Sequence, residues 1–210
     1  MNWKVCGMRD PDNIQEVLKR KPTWLGFIFY PPSPRYVKTS LDCLPDKWMW
    51  PSETLRVGVF VSPTFAEVRQ EVLAFQLHGV QWHGLPPSSE ITDWLKEKNI
   101  FLIQVVSIGE NFNLDELKKY EGIADYFLFD TQSPGHGGSG KTFDHSFLPN
   151  YSLSIPFLIA GGLNLPHIKQ LPDLSQVPFW GVDVNSRFET SPGLKNIELI
   201  SDLADYINSL

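Results

Sequence analysis

Short apolar runs alternate along this chain with polar stretches in which apolar residues recur at helical spacing. The apolar runs are residues 3–6, 25–30, 55–61, 80–83, 100–106, 126–129, 157–160 and 180–184. Several are continuous rather than alternating, the pattern of parallel strands buried on both faces. Of the stretches between them, residues 12–20 follow Pro11, as a helix start often does. Residues 64–76 carry Phe65, Val68, Val72 and Phe75 at helical spacing. Residues 88–98 begin on a serine, and residues 194–210 bring Leu199, Leu203 and Ile207 to one face. Weaker helical patterns cover 41–48 and 164–170.

Strands that alternate with helices imply βαβ units and a parallel sheet. Eight such units predict an α/β protein of the (β/α)8 barrel type, compact because 210 residues lies near the lower limit for that fold. An open doubly wound sheet is the alternative. Even spacing of the units, with no linker or low-complexity tract, favours closure and one domain over residues 1–210. In such a barrel, chemistry sits at the C-terminal ends of the strands and in the loops that follow. Those positions hold Cys6, the Tyr30 to Tyr36 loop, His83, Asp130, Gly161-Gly162 and the stretch from Asp183 to Ser186.

Charge narrows the partners. A net charge of −6 argues against a nucleic-acid or membrane-surface binder. An anionic substrate therefore requires a local positive pocket. The two cysteines, Cys6 and Cys43, fit a reduced compartment better than a disulfide framework, and their spacing is not that of a metal site. The N-terminus lacks the apolar core of a signal peptide, and no apolar run approaches a membrane span. These features predict a soluble cytoplasmic protein.

The most informative stretch is FLFDTQSPGHGGSGKTFD, residues 127–144. An apolar strand ends in Asp130, and a glycine-rich loop with one lysine, Lys141, follows. A carboxylate at the end of a buried strand can do acid–base work, and glycine lets backbone N–H groups approach a phosphate closely. Residues 135–142 also satisfy the nucleotide-binding pattern G-x-x-x-x-G-K-[ST]. The context contradicts that match. Residues 131–134 separate the strand from the first glycine, and fewer than 70 residues remain after Lys141 for the strands of such a domain. Gly138, Ser139 and Gly140 then read either as a surface loop or as a lid closing over substrate, the latter favoured.

Gly161-Gly162 after the seventh strand and Asn185-Ser186 after the eighth fall where barrels often cradle phosphate; a tight turn is the alternative for the glycines. Cys6 is either a small buried hydrophobe or, with cations nearby such as Arg9, a thiolate base. Arg35 lies in a loop stiffened by Pro31, Pro32 and Pro34. It is either a solvated arginine or a clamp for a carboxylate. His83 ends a strand and can face the pocket.

Together and in this order, several stretches resemble the phosphoribosylanthranilate isomerases of tryptophan biosynthesis. They are KVCGMR (4–9), GFIFYPPSPRYV (26–37), VGVFV (57–61), VQWHG (80–84), FDT (129–131) with GGSGKTFD (137–144), PFLIAGGLN (156–164) and GVDVNSRFETSPGLK (181–195). The resemblance spans nearly the whole chain. It implies a (β/α)8 barrel that performs an Amadori rearrangement of N-(5′-phosphoribosyl)anthranilate without metal or organic cofactor. It further implies Cys6 as general base, Asp130 as general acid and Arg35 on the anthranilate carboxylate. Phosphate would be held by Gly138, Ser139, Gly140, Gly161, Gly162, Asn185 and Ser186, with His83, Asp183 and Lys141 in the pocket. Phe127 and Phe129 are expected to help keep Asp130 protonated by disfavouring its charged form.

The chain departs from the family pattern after GVDV, where Ser-Ser-Gly is usual and Asn185-Ser186-Arg187 stands here. Arg187 either distorts a backbone that glycine would serve or adds positive charge near the phosphate. Two other readings stay open: a dual-substrate isomerase also serving histidine biosynthesis, and a barrel that binds a phosphorylated ligand without turning it over. The expected partner is a phosphorylated small molecule, not nucleic acid or membrane, and the protein is a monomer or homodimer.

Overall fold

The computed structural model describes residues 1–37, 50–109, 112–131, 148 and 150–210. Eight parallel strands close into a barrel in sequence order: β1 (Asn2–Val5), β2 (Trp24–Ile28), β3 (Leu55–Val61), β4 (Gly79–His83), β5 (Phe101–Ile108), β6 (Tyr126–Thr131), β7 (Phe157–Ile159) and β8 (Phe179–Val184). Each predicted apolar run holds one of them, with ends displaced by up to two residues.

The helices outside the barrel are α1 (Pro11–Leu18), α2 (Phe65–Ala74), α3 (Ser89–Glu97), α4 (Leu165–Lys169) and α5 (Ile197–Asn208). Their starts follow local chemistry. Asp10 accepts a hydrogen bond from the Asn13 N–H at 2.8 Å, and Pro11 opens α1. Thr64 and Glu67 cap α2 reciprocally. Asn164 and Asn196 cap α4 and α5.

Two differences from the sequence pattern stand out. The last helix starts at Ile197, because Leu194–Lys195 (β10) pairs antiparallel with Glu189–Ser191 (β9). Its buried face is Ile200, Leu203, Ala204 and Ile207, at i, i+3, i+4 and i+7, whereas Leu199 points to solvent. Between β5 and β6, where the pattern marked no helix, lies a 3-10 helix over Leu114–Tyr120. The weak pattern at 41–48 lies outside the described residues.

Apolar side chains form two layers. The larger one packs the outer strand faces against the helices and includes Phe27, Phe75, Phe127, Phe129 and Phe157. The smaller one fills the barrel with Trp24, Val57, Ile103, Leu128 and Leu158. Aromatic rings plug the N-terminal end. Trp24 stacks on Trp180 at 3.8 Å between centroids and on Phe101 at 4.7 Å, with Tyr126 edge-on at 5.0 Å. The register of β7 against β8 slips between Phe157 and Leu158. That slip lets both Trp180, at the bottom, and Asp183, near the top, face inward although they lie three positions apart, which strict alternation would put on opposite faces.

Candidate active site

Strand alternation decides which polar side chains enter the barrel mouth. On β1, Lys4 is inside, and the same period-two face carries Cys6 just past the strand end. Gln81 and His83 share the inner face of β4, and Leu128 and Asp130 that of β6. Cys6, Asp130, His83 and Asp183 line one cavity of about 240 Å³ at the C-terminal ends of the strands, together with Gly161 and Gly162. Phe127 and Phe129 lie on the opposite face of β6, in the outer core, so they do not form the wall beside the Asp130 carboxyl. Leu128, two residues back on the inner face, fills that place.

Burial, with the Asp183 carboxylate nearby, raises the pKa of Asp130 to about 6. A carboxyl so placed holds a proton more readily than an ordinary aspartate and can deliver it. The Cys6 thiol is buried, and burial pushes its pKa above the ordinary thiol value, with Asp183 adding to the rise. Lys4 and Lys195 pull it back. The cations acting on the thiol are therefore these two lysines. Arg9, the neighbour expected from the sequence, instead donates from Nη1 to the Pro34 carbonyl at 3.0 Å.

Lys4 stands opposite Asp183 in the β1–β8 register, and its Nζ donates to both carboxylate oxygens at 3.0 Å. Burial lowers the pKa of the ammonium, but Asp183 and Cys6 outweigh this and hold it above its usual value, so Lys4 keeps its charge. The same ammonium lies against the thiol. A Cβ on Gly26 would come within 3.0 Å of both Cys6 Sγ and Lys4 Nζ, which is why β2 carries glycine there. Lys4 was missed from the sequence, although a lysine inside an apolar strand, two residues before the cysteine, is a signal for it. His83 is half-buried, and that burial, with the Lys4 charge nearby, lowers its pKa to about 4, so it is neutral at pH 7. The ring Nε2 lies 3.1 Å from Gln81 Nε2.

Arg35 is not solvated. Its Nε and Nη2 grip the Glu189 carboxylate at 2.6–3.0 Å. Glu189 also accepts from the buried Lys195 Nζ at 2.6 Å, and Lys195 donates to Asn185 Oδ1 at 2.8 Å. Glu189 and Lys195 lie in the GVDVNSRFETSPGLK stretch but were given no role from the sequence, Lys195 because it was read into the last helix at 194–210, whereas it sits in the β9–β10 hairpin. Gly7, with φ +76°, lets the chain pass between Arg35 and Asn185: a Cβ there would sit 2.8 Å from a side-chain atom of each. Arg35 thus borders the cavity mouth without lining it.

Gly161 and Gly162 both take positive φ, +93° and +63°, and line the cavity beside Asn185 and Ser186. The structure brings these four together as expected. Arg187 does not need glycine's freedom: it lies in a 3-10 turn over Ser186–Phe188 and is not among the non-glycine residues with positive φ. Gly138, Ser139, Gly140 and Lys141, and Cys43, fall outside the described residues. Among the described residues, no three His, Cys, Asp or Glu side chains cluster to hold a metal ion, and no helix is long and apolar enough to cross a membrane.

A closed (β/α)8 barrel with a raised carboxyl and a buried thiol in one cavity at its C-terminal mouth defines an acid–base enzyme of the barrel class. Residues 3–206 match the family model for N-(5′-phosphoribosyl)anthranilate (PRA) isomerase. The chain is 39% identical to the N-(5′-phosphoribosyl)anthranilate isomerase of Phocaeicola vulgatus over 193 residues, which is 92% of this chain and 91% of the relative. The crystal structure of phosphoribosyl anthranilate isomerase from Thermotoga maritima superimposes with a TM-score of 0.83 at 29% identity, covering both chains fully. A phosphoribosyl anthranilate isomerase crystallised with reduced 1-(o-carboxyphenylamino)-1-deoxyribulose 5-phosphate gives 0.80 at 26% identity, again over both whole chains. This chain belongs to the phosphoribosylanthranilate isomerase family.

Proposed function

We propose that the chain converts N-(5′-phosphoribosyl)anthranilate to 1-(o-carboxyphenylamino)-1-deoxyribulose 5-phosphate, with Asp130 as general acid and Cys6 as general base. The observation that carries this reading is the shared cavity: Asp130 enters it from β6 and Cys6 from the end of β1, on separated strands of the barrel. The reaction needs two proton transfers at different atoms. Asp130 gives its proton to the ribose ring oxygen, the C1′–O bond breaks, and the anilino nitrogen forms a protonated imine at C1′. The Cys6 thiolate then takes the proton from C2′, and the C–H electrons form the C1′–C2′ double bond of an enolamine. That enolamine loses the C2′ hydroxyl proton and gains one at C1′, giving the ketone. Protons released and consumed balance, as an isomerisation requires.

The reading is supported by the raised Asp130 carboxyl, which is protonated in a useful fraction near neutrality. Lys4 supports it too, because an ammonium against Cys6 stabilises the thiolate when it forms. The doubly glycine turn at Gly161-Gly162, with Asn185 and Ser186, is suited to the phosphoryl group. Arg35, oriented by Glu189, is suited to the anthranilate carboxylate. The test is a coupled assay supplying freshly generated phosphoribosylanthranilate to the purified chain. Turnover is expected; its absence from the folded protein overturns the reading.

A further inference from the structure

The cavity carries an imbalance of charge that the acid–base pair does not use. Its described lining contains two carboxyl groups, Asp130 and Asp183, and a thiol, while His83 is neutral at pH 7. Lys4 spends its charge on Asp183, behind the lining. Arg187 is the one permanent cation among the described lining residues. It is exposed, and no hydrogen bond or ion pair holds it among those residues. A phosphate monoester bears close to two negative charges at neutral pH. Backbone N–H groups can hold such a dianion, and a cation beside it lowers the cost of bringing it near Asp130 and Asp183.

The turn that carries Arg187 is fixed. Phe188 is buried with 1% exposure, and its N–H donates to the Asn185 carbonyl at 3.0 Å. The turn follows β8 directly, and Gly161-Gly162 follow β7, the neighbouring strand in the barrel. Arg187 therefore lines the same cavity as a pair of positive-φ glycines that follow the neighbouring strand, with Ser186 beside it. Backbone N–H groups supply directional hydrogen bonds, and the guanidinium supplies the full charge and a planar fork for phosphoryl oxygens.

We propose that Arg187 is a side-chain anchor for the substrate phosphoryl group, adding charge recognition to the backbone cradle of Gly161-Gly162. The proposal rests on the function given above. It makes substrate capture in this chain dependent on an exposed cation as well as on the backbone cradle, and therefore sensitive to ionic strength.

The test uses Arg187→Met, which keeps the bulk, and Arg187→Lys, which keeps the charge. Inorganic phosphate and ribose 5-phosphate are titrated into each protein by calorimetry, and KM and kcat are measured for phosphoribosylanthranilate. Arg187→Met should weaken binding of both probes about tenfold, the size of one charge-assisted contact at an exposed position. The loss in turnover should fall on KM rather than kcat, and raising ionic strength should weaken phosphate binding less than in the parent. Arg187→Lys should recover most of the affinity. Unchanged probe affinity and KM in Arg187→Met overturn the proposal. The calorimetric arm does not depend on turnover, so a parent that binds phosphate through Arg187 yet does not isomerise substrate would contradict the function and leave the anchor standing.

Discussion

Lys4 and Asp183 are separated by 179 residues in sequence, yet Lys4 Nζ sits 3.0 Å from both carboxylate oxygens, across the seam where β1 meets β8. The pair is almost wholly buried, with side-chain exposures of 0% and 7%. It closes the barrel and sets the field at the Cys6 thiol together. Replacing either partner alone leaves an uncompensated charge in the interior. Lys4→Met should therefore cost about 3–5 kcal/mol in urea unfolding. Lys4→Met with Asp183→Leu should cost less than either single replacement, since no charge is stranded. A double variant that loses the sum of the two would show that the pair does not act as a unit.

The pH dependence of turnover follows from the acid–base pair. In the proposed mechanism the reactive form has Asp130 protonated and Cys6 ionised. With Asp130 near 6 and the Cys6 thiol above its ordinary value, that form is a minor one at every pH. Its population rises tenfold per pH unit up to about 6, stays level until the thiol titrates, then falls. A profile of kcat/KM should thus break near pH 6 and run flat through neutrality. Lys4→Met should lower the plateau and delay alkylation of Cys6 to higher pH, because the ammonium that opposes the thiol's rise is gone. An alkylation midpoint unmoved by this change would separate Lys4 from the thiol.

Asp130 trades stability for chemistry. Burial raises its folded pKa from 3.8 to about 6, so the folded state holds the proton more tightly than the unfolded chain. The cost is absent below about pH 4, where both states are protonated. It grows as pH rises from about 4 to 6 and is constant above that, reaching at most about 3 kcal/mol. Asp130→Asn should accordingly be more stable than the parent at pH 7.5 and equal to it at pH 3.5. Thermal unfolding at the two values reads this directly, and a variant less stable at pH 7.5 would contradict the assignment.

Glu189 behaves in the opposite sense. Burial pushes its carboxyl up, but Arg35 and Lys195 outweigh that and hold it below the usual carboxylate range. The stability it confers is present above the ordinary glutamate value and is lost as pH falls through the lower folded one. Glu189→Gln should cost about 3 kcal/mol near pH 7, with the deficit shrinking in acid. It should also raise KM, because the guanidinium of Arg35 loses the carboxylate that orients it. Equal KM in parent and variant would detach Glu189 from Arg35's role.

The barrel was legible because the strands are predominantly apolar runs, several of them continuous, and because β4 and β6 end in His83 and near Asp130. The cavity-lining residues Gly161 and Asn185 were legible for the same reason: they follow strand ends. What escaped depends on distance in sequence. Glu189 and Lys195 matter only because a short hairpin after β8 folds them back onto Arg35, 154 residues from Glu189. The effect of Lys4 comes from pairing with β8. The helical pattern at 194–210 gave a start three residues early because Lys195 is held by Asn13, whose Oδ1 accepts from the Lys195 N–H at 2.8 Å. Phe127 and Phe129 were set beside Asp130 by sequence proximity, whereas the period of two puts them on the other face.

The most direct measurement is the turnover of freshly generated phosphoribosylanthranilate by Cys6→Ala and Asp130→Asn, each checked for a parent-like fold by circular dichroism. Losing a general acid or base should reduce kcat by at least about 100-fold in each variant. Either folded variant turning over at close to the parent rate would contradict the assignment of Cys6 as base and Asp130 as acid.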